Sequence, residues 1–371
     1  MSIRDSKISF CTVCMNRAEH LKLTLPANIE SNKDYKNIEF LILDYNSEDD
    51  VQDFVIKSFP SEIENGKLVY YKTLTPDVFN RSHSRNLSFK LATGEIICNI
   101  DADNFTGDGF ASFIAQQFKI DSDIFLSAFE KNKSNSGDVL GRICLKKEHF
   151  HKLRGYDERM ENHGFEDTDF VNRLILSGLK SFVIPADKGF LHAIKHDDGL
   201  RIKNENLLKN LNILLVSYIS PACTEFLFIN KNEKFKIFTL IDNKAFDIIN
   251  STRTYDEQGY VLSLAKELTY EGGYSFSEAN IVLNINNQST LLAKQIDLNN
   301  SSYFITNNEK EFFIITNPQN IQSIILCISQ LYNRLILTGN VTLGEAVVNT
   351  DFFGTGIVYK NGEFSKPIII N

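Results

Sequence analysis

Apolar residues in the first hundred positions fall in short unbroken runs separated by mixed stretches. Residues 7–14, 38–43, 67–71 and 96–100 are apolar and β-rich. Ile96, Ile97, Cys98 and Ile100 are too continuous for a strand with one wet face, and read as a buried strand of a parallel sheet. Between the runs, Leu21, Leu23, Leu25 and Ile29 mix with Arg17, Glu19, His20 and Lys22 in a helix-like pattern. Ser47, with Asp50 three residues on, predicts a capped helix from about residue 48 to 58. Residues 80–92 predict another helix, closing near Gly94. A β-α-β-α-β-α-β rhythm of this kind gives a doubly wound parallel sheet. Further strands are expected over 123–129 and 139–145, and a helix over 166–176 that ends at Gly178.

The pattern changes after residue 200. Residues 200–220 are leucine-rich and predict an amphipathic helix packed across the sheet. Composition shifts near Pro221. Alternating stretches over 235–241, 279–285 and 303–315 predict strands. Residues 321–337 predict a helix, and 345–359 paired strands. The expected organisation is an α/β domain over 1–222 and a smaller α+β domain over 223–371, for acceptor binding or assembly.

The polar residues at the strand ends carry the candidate chemistry. The fourth strand stops in Asp101-Ala102-Asp103. Unpaired charge is costly to desolvate, so packing alone does not place two carboxylates there. Residues i and i+2 on an extended chain face the same side. Asp101 and Asp103 would then aim together into the crevice where open α/β sheets bind ligands. Hard carboxylate oxygens suit Mg²⁺ or Mn²⁺, which would clamp a diphosphate; the alternative is a plain strand-to-turn exit. Asn16 and Asp44 end the first two strands and fall where a nucleotide would lie. Glu166, Asp167 and Asp169 open a helix after a loop bracketed by Gly155 and Gly164. Complementing the helix dipole is their plain explanation, yet Glu166 and Asp167 cannot both be the cap. His196 follows a strand in a polar turn, and imidazole is the commonest metal ligand. Arg17, Arg81 and Arg85 could grip phosphate in bidentate fashion, or be solvated helix-face charge.

Composition narrows the classes. The chain has 371 residues, 43% of them hydrophobic, enough for two domains. A net charge of −8 disfavours broad contact with nucleic acid or anionic membrane. No run approaches the length of a membrane span, and the start of the chain lacks an apolar signal core. The expected compartment is therefore the cytoplasm, with peripheral association at an inner membrane compatible with it. Six cysteines sit mostly in apolar runs. Cys11 and Cys14 are three apart on a strand and face opposite ways, so a reduced packing role is expected. No GxGxxG follows the first strand, and no GxxxxGKS/T occurs, which disfavours dinucleotide folds and excludes P-loop NTPases.

Asn16-Arg17-Ala-Glu-His-Leu, Phe79-Asn-Arg81, Asp101-Ala-Asp103, Gly155-Tyr-Asp, Gly164-Phe-Glu166-Asp167-Thr-Asp169 and Ile194-Lys-His196 stand in this order. Together they resemble GT-A glycosyltransferases of the family-2 type. Within these they are similar to beta-1,4-galactosyltransferases and bacterial chondroitin-polymerase-like transferases, over residues 7–205. The resemblance implies a GT-A fold and a role in bacterial polysaccharide biosynthesis. It implies inverting transfer of a hexose or N-acetylhexosamine of the Gal/GalNAc type from a UDP-sugar to a carbohydrate acceptor. Asp167 would be the general base and Glu166 would touch the acceptor sugar. Asp103 and His196 would hold Mn²⁺ (or Mg²⁺); Arg17, Asp44, Arg81 and Asp101 would hold the nucleotide. Departures from the family pattern are His163, Phe165, Ala193 and Tyr45. They keep open a non-catalytic sugar-nucleotide binder or scaffold with a degenerate transferase fold. A nucleotidyltransferase would need a Gly- and Lys-rich phosphate loop, and residues 11–17 have neither residue.

Overall fold

The computed structural model describes residues 6–128, 138–242, 262–265, 268–299 and 301–371. The chain forms two compact units, one of residues 1–197 and 336–371, the other of residues 198–335. The division lies well before the expected boundary at 222, and the C-terminal segment belongs with the first unit.

In the first unit the strands are β1 (Ile8–Cys14), β2 (Ile38–Tyr45), β3 (Leu68–Thr73), β4 (Ile96–Asn99), β5 (Asn104–Phe105), β6 (Ile124–Ser127), β7 (Ile143–Lys146), β8 (Lys180–Val183) and β9 (His192–Ala193). The helices are α1 (Ala18–Ser31), α2 (Val51–Ser58), α3 (Pro60–Glu64), α4 (Arg81–Leu91), α5 (Phe110–Ile120), α6 (Lys147–Leu153) and α7 (Glu166–Leu176). Strands β3, β2, β1 and β4 run parallel in that spatial order. After β3 the chain crosses to the far side of β1, so the switch point lies between β1 and β4, where such sheets bind ligands. Beyond β4 the sheet turns mixed: β7 is antiparallel to both β4 and β6, and β8 is parallel to β6.

Each face of the sheet is covered, which explains the continuous apolar runs. Phe10, Cys14, Phe40 and Ile42 pack with Leu21 and Leu25 of α1, Val55 of α2 and Ile114 of α5. Cys11, Leu41 and Leu43 face the other way, onto Leu87 and Phe89 of α4, Phe150 of α6 and Phe170 and Leu174 of α7. Cys11 and Cys14 thus enter opposite cores, and all six cysteines are free. The helix expected from residue 48 starts at Val51 instead, because Ser47 Oγ is engaged by the Asn16 backbone N–H at 2.9 Å. The expected strand over 123–129 is β6; Phe129 lies outside the described residues.

The second unit begins with two short helices, α8 (Asp198–Ile202) and α9 (Asn206–Lys209), then β10 (Leu211–Ser220), β11 (Cys223–Asn230) and β12 (Lys234–Asp242). There follow β13 (Leu262–Leu264), β14 (Tyr270–Ser277), β15 (Asn280–Ile285), β16 (Gln288–Ile296), β17 (Ser302–Thr306), β18 (Glu311–Ile314) and the helix α10 (Pro318–Leu343), whose last residues lie in the first unit. The strand order β11-β10-β18-β17-β16-β15-β14-β12 closes through a β11–β12 pairing, with β13 paired to β12 outside the circuit. This is an antiparallel barrel rather than the expected α+β domain. Leu215, Leu227, Ile229, Phe235, Ile281, Leu283 and Phe304 fill it. Leu214, Phe226 and Phe228 point outward onto Ile325 and Ile328 of α10. Of the helix expected over 200–220, the first half holds α8 and α9 and the second half is β10, because its leucines serve two faces alternately. Among the described residues α10 alone is long and apolar enough to cross a membrane, and 44% of its apolar window is buried in the protein.

After α10 the chain returns to the first sheet. Strand β19 (Gly356–Lys360) lies antiparallel to β3 and to β20 (Pro367–Ile370), extending the sheet beyond its expected edge.

Candidate active site

Helix α4 builds the centre of the site. Asn80 caps it, its side-chain oxygen accepting from the His83 N–H at 2.9 Å. Arg81 and Arg85, one turn apart, emerge on the same side. The helix is unusually polar for a buried one: Ser82, Ser84, Arg85, Asn86 and Ser88 are all buried. Small serines let it lie close, and the arginines are carried inward on a polar helix that burial would otherwise disfavour.

Arg85 is the hub. One terminal nitrogen donates to Asp167 Oδ1 at 2.7 Å and lies 3.4 Å from Glu166 Oε1; the other donates to Asp101 Oδ1 at 3.1 Å. Its guanidinium lies over the Tyr156 ring, 5.4 Å from the centroid. Burial opposes its charge, but Asp167, Asp101 and Glu166 more than offset this and hold it fully ionised. Arg81 Nε stands 3.8 Å from Glu166 Oε1. Burial, against the pull of Glu166, and the neighbouring Arg85 and Arg17 push Arg81 below its ordinary range, although a guanidinium stays charged at neutral pH. Three cations thus influence one another here, and an arriving anion would relieve their repulsion.

The acids arrive from two elements. Asp101 follows β4, and the Asn104 N–H donates to its carbonyl at 2.9 Å, closing a turn. The chain is therefore not extended across Asp101-Ala102-Asp103, and the two carboxylates reach different partners, contrary to the expected shared aim. Asp101 faces Arg85 and also accepts from Asn99 Nδ2 at 2.8 Å. Burial alone would raise its pKa; Arg85 and Asn99 reverse this and hold it below the usual carboxylate range. Asp103 Oδ2 lies 2.8 Å from His196 Nε2. That bond raises the imidazole above its ordinary value.

Glu166 and Asp167 open α7, whose preceding residue Phe165 takes a left-handed φ of 68°. The Gly164 N–H donates to Glu166 Oε2 at 3.0 Å. Acids in a helix's first turn meet its positive end, yet these two are bound chiefly by guanidinium. Burial pushes Asp167 up to about 7 against the pull of Arg85, with Glu166 and Asp101 adding to the rise.

Asp44 is placed differently from expectation. It is wholly buried, accepting from the Tyr70 hydroxyl at 2.5 Å, Lys72 Nζ at 3.2 Å and the Ser47 N–H at 2.7 Å. Its carboxylate shapes the end of β2 instead of facing a crevice. Arg17 is half-buried at the start of α1, within electrostatic reach of Arg81.

Several contributors are not marked by any motif. Arg85 was expected to grip phosphate or to be solvated charge, and its place between Asp101 and Asp167 is neither. Asp138 Oδ2 approaches His196 Nε2 at 3.8 Å, and the His20 ring lies 5.7 Å from that of His196. Among the described residues no group of three or more His, Cys, Asp or Glu side chains is arranged to hold a metal ion. Asp103 and His196 nonetheless fit a divalent ion in donor type: an oxygen and a nitrogen 2.8 Å apart are spaced as adjacent ligands of one ion. Two protein donors are a common complement where substrate phosphate supplies others.

The family described as "N-terminal domain of galactosyltransferase" matches residues 122–197. The chain is similar in structure to the mannosyltransferase PcManGT from Pyrobaculum calidifontis, solved with GDP-Man and Mn²⁺ (TM-score 0.41, 16% identity, 49% of this chain and 56% of that one). It is similar to residues 1–349 of TarS from S. aureus, solved with UDP-GlcNAc (TM-score 0.41, 13% identity, 54% of this chain and 61% of that one). A third similar structure is Drosophila beta-1,4-galactosyltransferase 7, solved with manganese, UDP-Gal and xylobiose (TM-score 0.36, 14% identity, 56% of this chain and 85% of that one). The chain thus spans less than two thirds of the first two. No curated protein matches it in sequence.

Proposed function

From a chain that resembles the GT-A glycosyltransferases and carries a galactosyltransferase-family segment over residues 122–197, we propose an inverting, Mn²⁺-dependent transferase. It moves a hexose or N-acetylhexosamine, of the Gal/GalNAc type, from a UDP-sugar to a carbohydrate acceptor. The observation that carries this is the meeting of Asp101 and Asp167 on the Arg85 guanidinium at 3.1 and 2.7 Å, with Asp103, two residues along the chain from Asp101, paired to His196 at 2.8 Å.

The reaction needs an acid–base pair and a charge sink. The acceptor hydroxyl oxygen attacks the anomeric carbon, its proton passes to Asp167, and the bond to the diphosphate breaks, releasing UDP. A base on the face opposite the leaving group inverts the anomeric centre. Such a base is worth on the order of a hundred- to ten-thousand-fold in rate. An Asp167 carboxyl poised at about 7 suits a base that must hold a proton briefly and return it. Glu166 orients the acceptor hydroxyls, held by Arg85 and the Gly164 N–H. Arg17 and Arg81 receive the phosphates, and Asp101 keeps Arg85 turned toward both halves of the site. Asp44 acts on the nucleotide side only through Tyr70 and Lys72, which it fixes. A divalent ion held by Asp103 and His196 would neutralise charge on the departing diphosphate.

Calorimetric titration with UDP-Gal, UDP-GalNAc, UDP-Glc and UDP-GlcNAc, each with Mn²⁺ and with chelator, tests the reading. Metal-dependent binding followed by sugar release or transfer supports it. Binding without turnover under any acceptor would favour the non-catalytic alternative that His163, Phe165 and Ala193 keep open.

A further inference from the structure

The loop before α7 is fastened at both ends by the C-terminal segment. Asn340 is buried, and its one amide group donates to two carboxylates: Asp157 Oδ2 at 2.9 Å and Asp169 Oδ1 at 2.8 Å. Its carbonyl oxygen accepts from Arg159 Nη2 at 2.7 Å. Asp157 and Asp169 are each 1% exposed. Asp157 stands at the loop's entry, and Asp169 two residues beyond Asp167. Asn349, at a left-handed φ of 52°, repeats the device at the entry. Its amide donates to the carbonyls of Arg154 at 2.7 Å and Tyr156 at 2.6 Å, and its oxygen accepts from the Glu158 N–H at 3.0 Å. The Gly354 N–H donates to Glu158 Oε1 at 2.6 Å. Arg173 Nε binds Asp169 Oδ2 at 2.7 Å.

Buried carboxylates persist only where their lone pairs are satisfied. Arg159 and Arg173 already supply a cation to each acid. A neutral amide can bridge the two acids without a further charge, where a carboxylate would repel both and an aliphatic group would leave both short of a donor. The bridge spans the segment containing His163, Phe165, Glu166 and Asp167, so its loss frees that segment more than the sheet behind it.

We propose that Asn340, with Asn349 beside it, is a positioning residue that sets the acceptor side of the site. Acceptor selectivity is thereby written partly in residues 340–354, remote in sequence from every transferase motif. The role of the loop rests on the function proposed above; its fastening does not.

The test uses Asn340→Ala and Asn349→Ala in the full chain, read by hydrogen–deuterium exchange and by UDP binding with Mn²⁺. Exchange over 158–165 should quicken by about tenfold or more, the factor that about 1.4 kcal/mol of lost local stability gives. Peptides from β1 to β4 should stay near parental rates, with UDP affinity unchanged. Where transfer is measurable, acceptor KM should rise while donor KM holds. Uniform acceleration across the first unit would reduce Asn340 to a fold-stability residue, and an unchanged loop would overturn the proposal. If Asn340→Ala does not fold, Asn349→Ala gives the same comparison. A parent chain that binds no UDP would defeat the transferase reading while the exchange result still decides the fastening.

Discussion

Asp167→Asn separates catalysis from stability in opposite directions. Asp167 titrates near 3.8 when free, and burial, with Glu166 and Asp101, pushes it up to about 7 despite Arg85. At about 1.36 kcal/mol per pKa unit, that difference means the fold favours the protonated acid over the carboxylate by about 4 kcal/mol. A carboxyl raised in the folded state contributes stability that is complete below 3.8 and is lost as the pH climbs through about 7. Asparagine copies the uncharged acid and does not titrate. The variant and the parent should therefore be of similar stability near pH 4. The variant should gain progressively to pH 8, by up to about 4 kcal/mol and in practice on the order of 1–3. Urea unfolding across that range checks this, followed by circular dichroism because the chain contains no Trp. In parallel, turnover of the UDP-sugar should fall by about a hundredfold or more while UDP still binds. A pH-independent stability difference, or a parent more stable at pH 8, would refute the electrostatic reasoning. Undiminished turnover would remove Asp167 from its role as base.

Asp103→Ala and His196→Ala should each weaken Mn²⁺-dependent UDP binding by about tenfold or more in calorimetry, and unchanged binding would take the metal away from this pair. Gly141→Ala should disturb the hub, since a Cβ there would meet Asp101 Oδ2 at 2.5 Å and Arg85 Nη2 at 2.7 Å; a loss of about 1–3 kcal/mol is expected from thermal unfolding, together with reduced turnover. Arg85→Lys keeps the charge, but a single ammonium cannot span Asp101 and Asp167. The weaker pull should move the acid limb of the kcat/KM profile to higher pH, and an unmoved limb would show that Arg85 does not act on Asp167.

The first unit was legible where its strands are buried on both faces, as β1, β2 and β4 are, and where a cap or a glycine bounds a helix, as Asn80 does for α4 and Gly178 for α7. The helix over Glu166–Leu176 has the bounds its spacing predicts. The acids were visible as charges with no packing reason to sit at element ends. Arg85 was visible only as a candidate for phosphate or for solvent, since nothing local shows that an arginine will meet Asp101 and Asp167. Asp138 was hidden likewise, its approach to His196 arising only in three dimensions. In the second unit, alternation identified strands but not closure: the β11–β12 pairing that completes the barrel leaves no trace in composition. Leu211–Ser220 misled because leucines spaced for a helix also alternate well enough for a strand. Asn340 and Asn349 gave no signal of their partners, because an amide's value depends on which groups it finds.

The return of β19 to the outer edge of β3 also governs how the molecule can be made. A nascent chain that has finished β1 to β4 still displays an unpaired strand edge, and open edges invite wrong partners. That edge stays open while the whole barrel is synthesised, because the residues that pair with it follow the barrel in sequence. A fragment cut at residue 222 would keep every transferase motif yet carry that edge permanently, and should aggregate where the full chain does not.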